Sequence, residues 1–133
     1  MDSDADLPNN AVLIQAPNAQ GSAPLNELEV QALALNAEGY ALCEQDHYSD
    51  AAAVFLKVVE QFGTRTEPYL REAVAYALYM RAAISDIERH RIDALGAYGA
   101  LLGNFSGGES AAIDRLLVRA CERYTQLKRY RLA

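Results

Sequence analysis

The chain has 133 residues and a formal net charge of −6, and 51% of its residues are apolar. This length suits one domain with its own core, and this apolar fraction excludes a chain that is disordered throughout. The charge is uneven, since residues 1–62 carry a net charge of −9 and residues 63–133 carry +3. The acidic balance disfavours nucleic acid as a partner, and without a run of about 20 apolar residues no membrane span is predicted.

The cysteines and the N-terminus predict a cytoplasmic protein. Cys43 and Cys121 are too few for a disulfide framework, and we expect both to be buried thiols on helices. Asp2, Asp4 and Asp6 stand where a secretory signal would carry positive charge. We therefore expect a chain that works in a reducing compartment.

The first residues of the chain differ in composition from the rest. Residues 1–23 are rich in Asn, Asp, Pro, Gly, Ser and Gln, and the apolar run AVLI at 11–14 interrupts them. This composition predicts a flexible arm, and the apolar run within it is a candidate docking segment. Residues 24–133 are then expected to form one helical domain.

Apolar residues spaced three and four apart, abundant Ala and scarce Pro favour helices in this domain. Capping-box patterns at 26–29 and 64–67 indicate helix starts, and Pro68 follows the second of them. Gly63 and the glycine-rich segment 103–108 indicate helix ends. The predicted helices cover residues 26–45, 49–62, 64–86, 91–103 and 109–129.

The domain repeats itself with a period of 43 residues, most clearly where residues 48–62 return as residues 91–105. The equivalent pairs are Ala51/Ala94, Phe55/Tyr98, Val58/Leu101, Val59/Leu102, Phe62/Phe105, Leu70/Ile113, Val74/Leu117 and Ala77/Ala120. A fixed period over most of a chain predicts a repeat array, in which each unit buries its apolar face against its neighbours. The predicted fold class is therefore all-α, with about two and a half stacked antiparallel helical hairpins.

The hairpins resemble those of the tetratricopeptide (TPR) family over residues 26–129. The first hairpin has Leu35, Gly39, Tyr48, Ala51, Phe55 and Val58 at the signature positions. The second hairpin keeps Leu78, Ala94, Tyr98 and Leu101, with Ala82 where glycine is usual. The period of 43 residues departs from the ordinary TPR period of about 34, and we expect the extra residues to lengthen the first helix of the second hairpin.

This resemblance implies a protein-interaction module, because the first helix of each TPR hairpin lines a groove that binds a peptide or a partner helix. The groove positions in this chain are Asn36, Tyr40, Tyr76, Tyr79, Arg119, Glu122 and Gln126. Tyrosine suits such a surface, since it has a large apolar body and a polar tip. Small acidic proteins with about three such repeats also resemble bacterial secretion chaperones, which implies an adaptor as a narrower alternative.

Arg115, Arg119 and Arg123 recur every four residues along the fifth predicted helix and form one basic stripe. Two interpretations stay open. The stripe is either a solvated face of a terminal helix or a site for an anion or an acidic segment.

The fifth predicted helix also has no second helix to complete its hairpin. Its arginines are interrupted by Leu116, Val118 and Tyr130, and an uncovered apolar strip often marks an interface. The competing hypothesis for the whole protein is therefore an assembly module that self-associates through residues 109–130, most simply as a two-fold homodimer. Alternatively, the run at 11–14 covers the strip and the protein stays monomeric.

No residues in the sequence are arranged for chemistry, so we expect no enzyme, cofactor or metal site. Segment 103–110 fits the phosphate-binding pattern G-x-x-x-x-G-K-[ST] except at Glu109, which reverses the charge of the lysine. We therefore predict a loop between helices there, with nucleotide binding as a weak alternative. His47 and His90 fall at helix corners 43 residues apart, where we expect them to face solvent or cap a helix.

Overall fold

A computed structural model describes residues 25–132, with side chains described through residue 129. Within this range the protein is all-α, which confirms the predicted fold class, and no strand is present. The helices are α1 (Glu27–Glu44), α2 (Tyr48–Phe62), α3 (Pro68–Ile87), α4 (Arg91–Asn104) and α5 (Ala111–Leu132). The predicted arm at 1–23, including its apolar run at 11–14, lies outside the described residues.

The start of α1 follows its predicted capping box, whereas that of α3 does not. The Asn26 side chain accepts the Glu29 N–H at 2.9 Å, and the Glu29 carboxylate accepts the Asn26 N–H at 3.0 Å. The second predicted capping box is wrong, because α3 begins at Pro68 and the Glu67 carboxylate pairs with Arg65. Proline suits a first turn, since the N–H that it lacks would have no helical partner there.

The corners between α1 and α2 and between α3 and α4 have the same backbone geometry. Asp46 and Arg89, 43 residues apart, both have positive φ values, 63° and 65°. The next N–H in each corner donates to the carbonyl five residues earlier, at 2.9 Å for His47 and 2.8 Å for His90. This hydrogen bond closes a Schellman turn at the end of a helix. The period found in the sequence is therefore also a period of the backbone.

The helices pack as consecutive hairpins around α3. Each helix contacts the next one in the chain, and α3 also contacts α1 and α5. Thirteen of the 20 residues of α3 are buried, which makes it the central helix of the core. Most repeat-related pairs are buried in both of their members, namely Ala51/Ala94, Phe55/Tyr98, Val58/Leu101, Phe62/Phe105, Leu70/Ile113 and Ala77/Ala120.

The first hairpin depends on a glycine at the contact between α1 and α2. A Cβ atom added at Gly39 would lie 2.6 Å from Cζ of Phe55. The Phe55 side chain is fully buried, and its ring meets the ring of Tyr76 nearly edge-on, so it has no room to move aside. Only glycine at this position lets the two helices approach this closely.

The substitutions Gly39→Ala and Gly96→Ala should have opposite effects on stability. At Gly39 the new methyl group overlaps a buried ring, so the free energy of unfolding should fall by about 1–3 kcal/mol. At Gly96 a Cβ atom would meet no other atom within 4 Å. The better helix propensity of Ala should therefore raise the free energy of unfolding there by up to about 1 kcal/mol. Urea denaturation followed by circular dichroism measures both, and changes of the same sign would contradict the packing of the first hairpin.

Candidate interaction surface

Helices α1, α3 and α5 lie side by side, since α3 contacts both of the others. Every residue predicted to bind a partner lies on these three helices. The structure places these residues at different depths. Tyr40 and Arg119 are half-buried and Glu122 and Gln126 are exposed, whereas Asn36, Tyr76 and Tyr79 are buried.

The three buried residues hold helices together instead of lining an open groove. Tyr76 has 0% exposure and its ring centroid lies 5.9 Å from that of Phe55 on α2. Asn36 Nδ2 donates to the backbone carbonyl of Ala73 at 3.2 Å, which joins α1 to α3. Tyr79 packs against an aromatic ring of α4, with centroids 5.9 Å apart. The prediction that Asn36, Tyr76 and Tyr79 offer surface to a partner is therefore wrong, because contacts between helices cover them.

The arginine stripe of α5 turns two of its members towards α3. Arg123 donates to both carboxylate oxygens of Asp86, at 2.5 and 2.9 Å. Arg119 Nε donates to the Tyr79 hydroxyl at 3.3 Å, and its guanidinium carbon lies 5.7 Å from the centroid of the same ring. Arg115 is exposed. Arg119 and Arg123 thus bind side chains of this chain, whereas Arg115 stays exposed, so the three arginines do not form one uniform surface.

Asp86 joins three helices. Besides Arg123 of α5, its carboxylate accepts a hydrogen bond from the Tyr98 hydroxyl of α4 at 3.3 Å. Arg123 in turn donates to the Gln126 side chain at 2.7 Å. The hydrogen bonds to Asp86 raise the pKa of Arg123, and burial raises the pKa of Tyr98, so both groups stay protonated at neutral pH. The exposed Gln126 is therefore connected to the core through a chain of hydrogen bonds.

The substitution Asp86→Ala should destabilise the protein by about 1–2 kcal/mol, because it leaves a guanidinium and a buried hydroxyl without their acceptor. The expected loss stays below that of a fully buried pair, since the Arg123 side chain is 40% exposed. Glu67→Ala is the control, because it removes the partner of Arg65 in an exposed connection. Urea denaturation should show a shifted midpoint for Asp86→Ala alone, and equal midpoints for the two variants would contradict a stabilising role for Asp86.

An ion pair connects the glycine-rich segment between α4 and α5 to α3. The carboxylate of Glu109 accepts hydrogen bonds from Arg71 at 2.9 and 3.1 Å. The Arg71 guanidinium also lies over the Phe105 ring, 4.1 Å from its centroid. Glu109 thus stands where a phosphate-binding loop would have lysine, and it pairs with a cation of the same chain.

The backbone N–H groups of this segment are also used within the protein. Ser106 N–H donates to Glu109 at 3.1 Å, and Gly108 N–H donates to Asp114 at 2.8 Å. A phosphate would need such N–H groups as donors. Carboxylates of the chain occupy them here, which supports the prediction of a loop between helices and argues against nucleotide binding.

Glu72 is a buried carboxyl group near the start of α5. Its Oε1 atom has no hydrogen-bond partner among the described residues. Burial raises the pKa of Glu72, and a hydrogen bond with Ser110 and the positive charge of Arg115 offset part of this effect. Ionisation of Glu72 is therefore less favourable in the folded protein than in the unfolded chain.

The substitutions Glu72→Gln and Glu109→Gln should change stability in opposite directions at pH 7. Glu72 has a raised pKa, so the wild-type fold weakens as the pH rises past about 4.3, where glutamate ionises in the unfolded chain. Glutamine removes this loss and should raise the free energy of unfolding by about 1 kcal/mol at pH 7.

The contacts of Glu109 with Arg71 and with Ser106 N–H lower its pKa. Its contribution is therefore present above the unfolded pKa and is lost as the pH falls through the folded pKa, so Glu109→Gln should cost up to about 1 kcal/mol at pH 7. Urea denaturation at pH 3 and pH 7 measures both variants. Each difference from wild type should shrink towards pH 3, and differences independent of pH would contradict the assigned pKa shifts.

The outer face of α5 is less apolar than predicted. Leu116 is buried in the core, and the side chain of Tyr130 lies outside the part that the structure describes. Val118 is 58% exposed. Cys121, predicted to be buried, is also exposed, whereas Cys43 is buried. Among the side chains that the structure describes, Val118 is therefore the one exposed large apolar residue of the strip expected along 109–130.

His47 and His90 precede α2 and α4 and are exposed, and neither side chain caps its helix. The structure therefore agrees with the prediction that these histidines face solvent and not with the prediction that they cap a helix. Residues 25–132 contain no group of three or more His, Cys, Asp or Glu side chains placed to hold a metal ion. No helix in the same range has both the length and the apolar character to span a membrane.

Sequence reasoning missed the contacts between α3 and α5. Glu72, Tyr79 and Asp86 recur every seven residues along α3 and therefore lie on one side of it. A row of acidic and aromatic residues on one helix, with an arginine stripe on a later helix, is the pattern that would have predicted this pairing.

The described residues thus form an all-helical protein of packed hairpins, in which α1, α3 and α5 share one surface. Comparison of the chain with protein-family models, with curated proteins and with solved structures gives no match.

Proposed function

We propose that this protein is a TPR-like interaction module that binds a peptide or a partner helix on the surface of α1, α3 and α5. The observation that carries the proposal is the repeat of structure along the chain. Corners with the same turn recur 43 residues apart, α1 and α3 begin successive hairpins, and α5 contacts α3 as α3 contacts α1. Repeat arrays of this kind bury their apolar faces between units and offer an extended surface to partners.

The accessible residues of this surface belong to its two outer helices. Tyr40 on α1 is half-buried, and Glu122 and Gln126 on α5 are exposed. Gln126 is held by Arg123, which is itself bound to Asp86. A polar side chain held in place before binding loses less entropy when a partner binds. Recognition would therefore use an aromatic contact on α1 and fixed polar groups on α5.

Peptides selected from a random display library against the full chain provide the test. The selected peptides should lose about tenfold or more in affinity for Tyr40→Ala and for Gln126→Ala, as is typical of residues at the centre of an interface. Isothermal titration calorimetry measures the affinities, and circular dichroism confirms that the variants remain folded.

Lys57→Ala and Gln61→Ala on the exposed side of α2 are the matched controls and should leave the affinities unchanged. Peptides that respond only to the α2 variants would place the binding surface elsewhere. A library that yields no binding peptide would refute the proposed function.

A further inference from the structure

Two of the three large apolar side chains that are exposed among residues 25–129 lie on the outermost helices. Val30 on α1 is 49% exposed and Val118 on α5 is 58% exposed, whereas the third, Ile92, lies on α4. Neither valine contributes to the core, and neither belongs to the peptide-binding residues proposed above. The two outer helices therefore each present an apolar residue to solvent at opposite ends of the row α1, α3, α5.

Acidic residues and alanines surround Val30. Helix α1 contains four glutamates and no lysine or arginine. Glu27, Ala34, Ala37 and Glu38 are exposed together with Val30, and their spacing of three and four places them on one side of the helix. This face has Val30 and two alanines at its centre, bordered by carboxylates.

The surroundings of Val118 are more basic than acidic. Glu122, four residues after the valine, is one exposed carboxylate on this side of α5. Arg115 and Arg129 are exposed on the same side, three residues before and eleven residues after the valine. Neither arginine has a salt-bridge partner among the described residues, in contrast to Arg123. With two arginines and one glutamate, this face has a net charge opposite to that of the α1 face, and it also has a valine at its centre.

We propose that the α1 face of one copy of this protein binds the α5 face of a second copy, so that copies join end to end. The commitment to a second copy rests on the charge complementarity of the two faces and on the exposed valine at the centre of each. Like a repeat array, the contact adds one unit after another in the same direction. It goes beyond peptide binding and uses different residues.

The register of this contact follows from the direction of the helices. Short connections reverse the chain at each corner, so α1 and α5 run the same way and meet in parallel when copies stack end to end. With Val30 opposite Val118, Glu27 lies beside Arg115, because each charged residue precedes its valine by three positions. Glu44 falls within one turn of Arg129 in the same register.

This contact joins two different faces, so it differs from the two-fold dimer through α5 that the sequence suggested. A two-fold interface uses the same patch on both copies, whereas a contact between different faces leaves one face free at each end. The two arrangements therefore predict different results for mixtures of variants.

Analytical ultracentrifugation of the full chain at low salt is the first measurement. The average mass should rise above the 14.6 kDa of one chain as concentration increases. We expect a concentration-dependent rise, as for a small transient interface, and a weaker rise at high salt, because salt screens exposed charges. Mass that stays at one chain throughout would overturn the proposal.

Mixing two variants tests the pairing of the faces. Val30→Asn damages only the α1 face and Val118→Asn only the α5 face, so each variant alone should sediment as a monomer. Their equimolar mixture should form a dimer and nothing larger, because one intact α5 face meets one intact α1 face. A mixture that remains monomeric, or homodimers of Val30→Asn, would refute the contact between α1 and α5.

Charge reversal tests the register. Glu27→Arg should abolish association, and Arg115→Glu in the same chain should restore it. Ile92→Asn on α4 is the control and should associate like wild type. Circular dichroism verifies folding, and unchanged binding of the selected peptides by Val30→Asn would show that the two surfaces are separate. If the variant with both charges reversed does not associate, the register is wrong. If Ile92→Asn prevents association, α4 and not α1 forms the interface.

Discussion

The burial of α3 on most of its circumference is the constraint on which the rest of this structure depends. The hairpin of α1 and α2 packs on one side of it, and α4 and α5 pack on the other. A polar group on such a helix has lost its water and needs a partner inside the protein. Asp86 and Tyr79 therefore meet arginines of α5, and the carbonyl of Ala73 accepts a hydrogen bond from Asn36.

The same constraint divides the interaction surface into two kinds of residue. On α3, the residues at groove positions are used for packing, because helices flank it on both sides. Among the described residues, helices α1 and α5 each have neighbours on one side only, and Tyr40 and Gln126 keep accessible surface there. A partner on this side would contact mainly the outer helices, while α3 fixes the distance between them.

Because the hairpins stack, the uneven charge along the sequence also becomes an uneven charge between the two ends of the helical domain. Helix α1 contains four acidic and no basic residues, whereas α5 contains six basic and two acidic residues. Because hairpins stack in chain order, α1 lies at one end with its glutamates and α5 at the other with its arginines. The proposed contact between copies would use this difference in charge between the two ends.

The sequence by itself determined the helices, the 43-residue period and the repeat-related core pairs, because helix signals are local and the two hairpins bury equivalent positions. The sequence-based predictions that the structure contradicts share a physical cause. Tyr76 is buried and Tyr40 keeps accessible surface because different numbers of helices surround the two positions. A sequence period does not contain this information, since it assigns the same environment to equivalent positions in central and terminal units. The pairing of Arg123 with Asp86 and of Arg71 with Glu109 joins residues 37 and 38 positions apart. Only the tertiary structure decided these features, because the distances between side chains on different helices are set by packing and not by spacing along the chain.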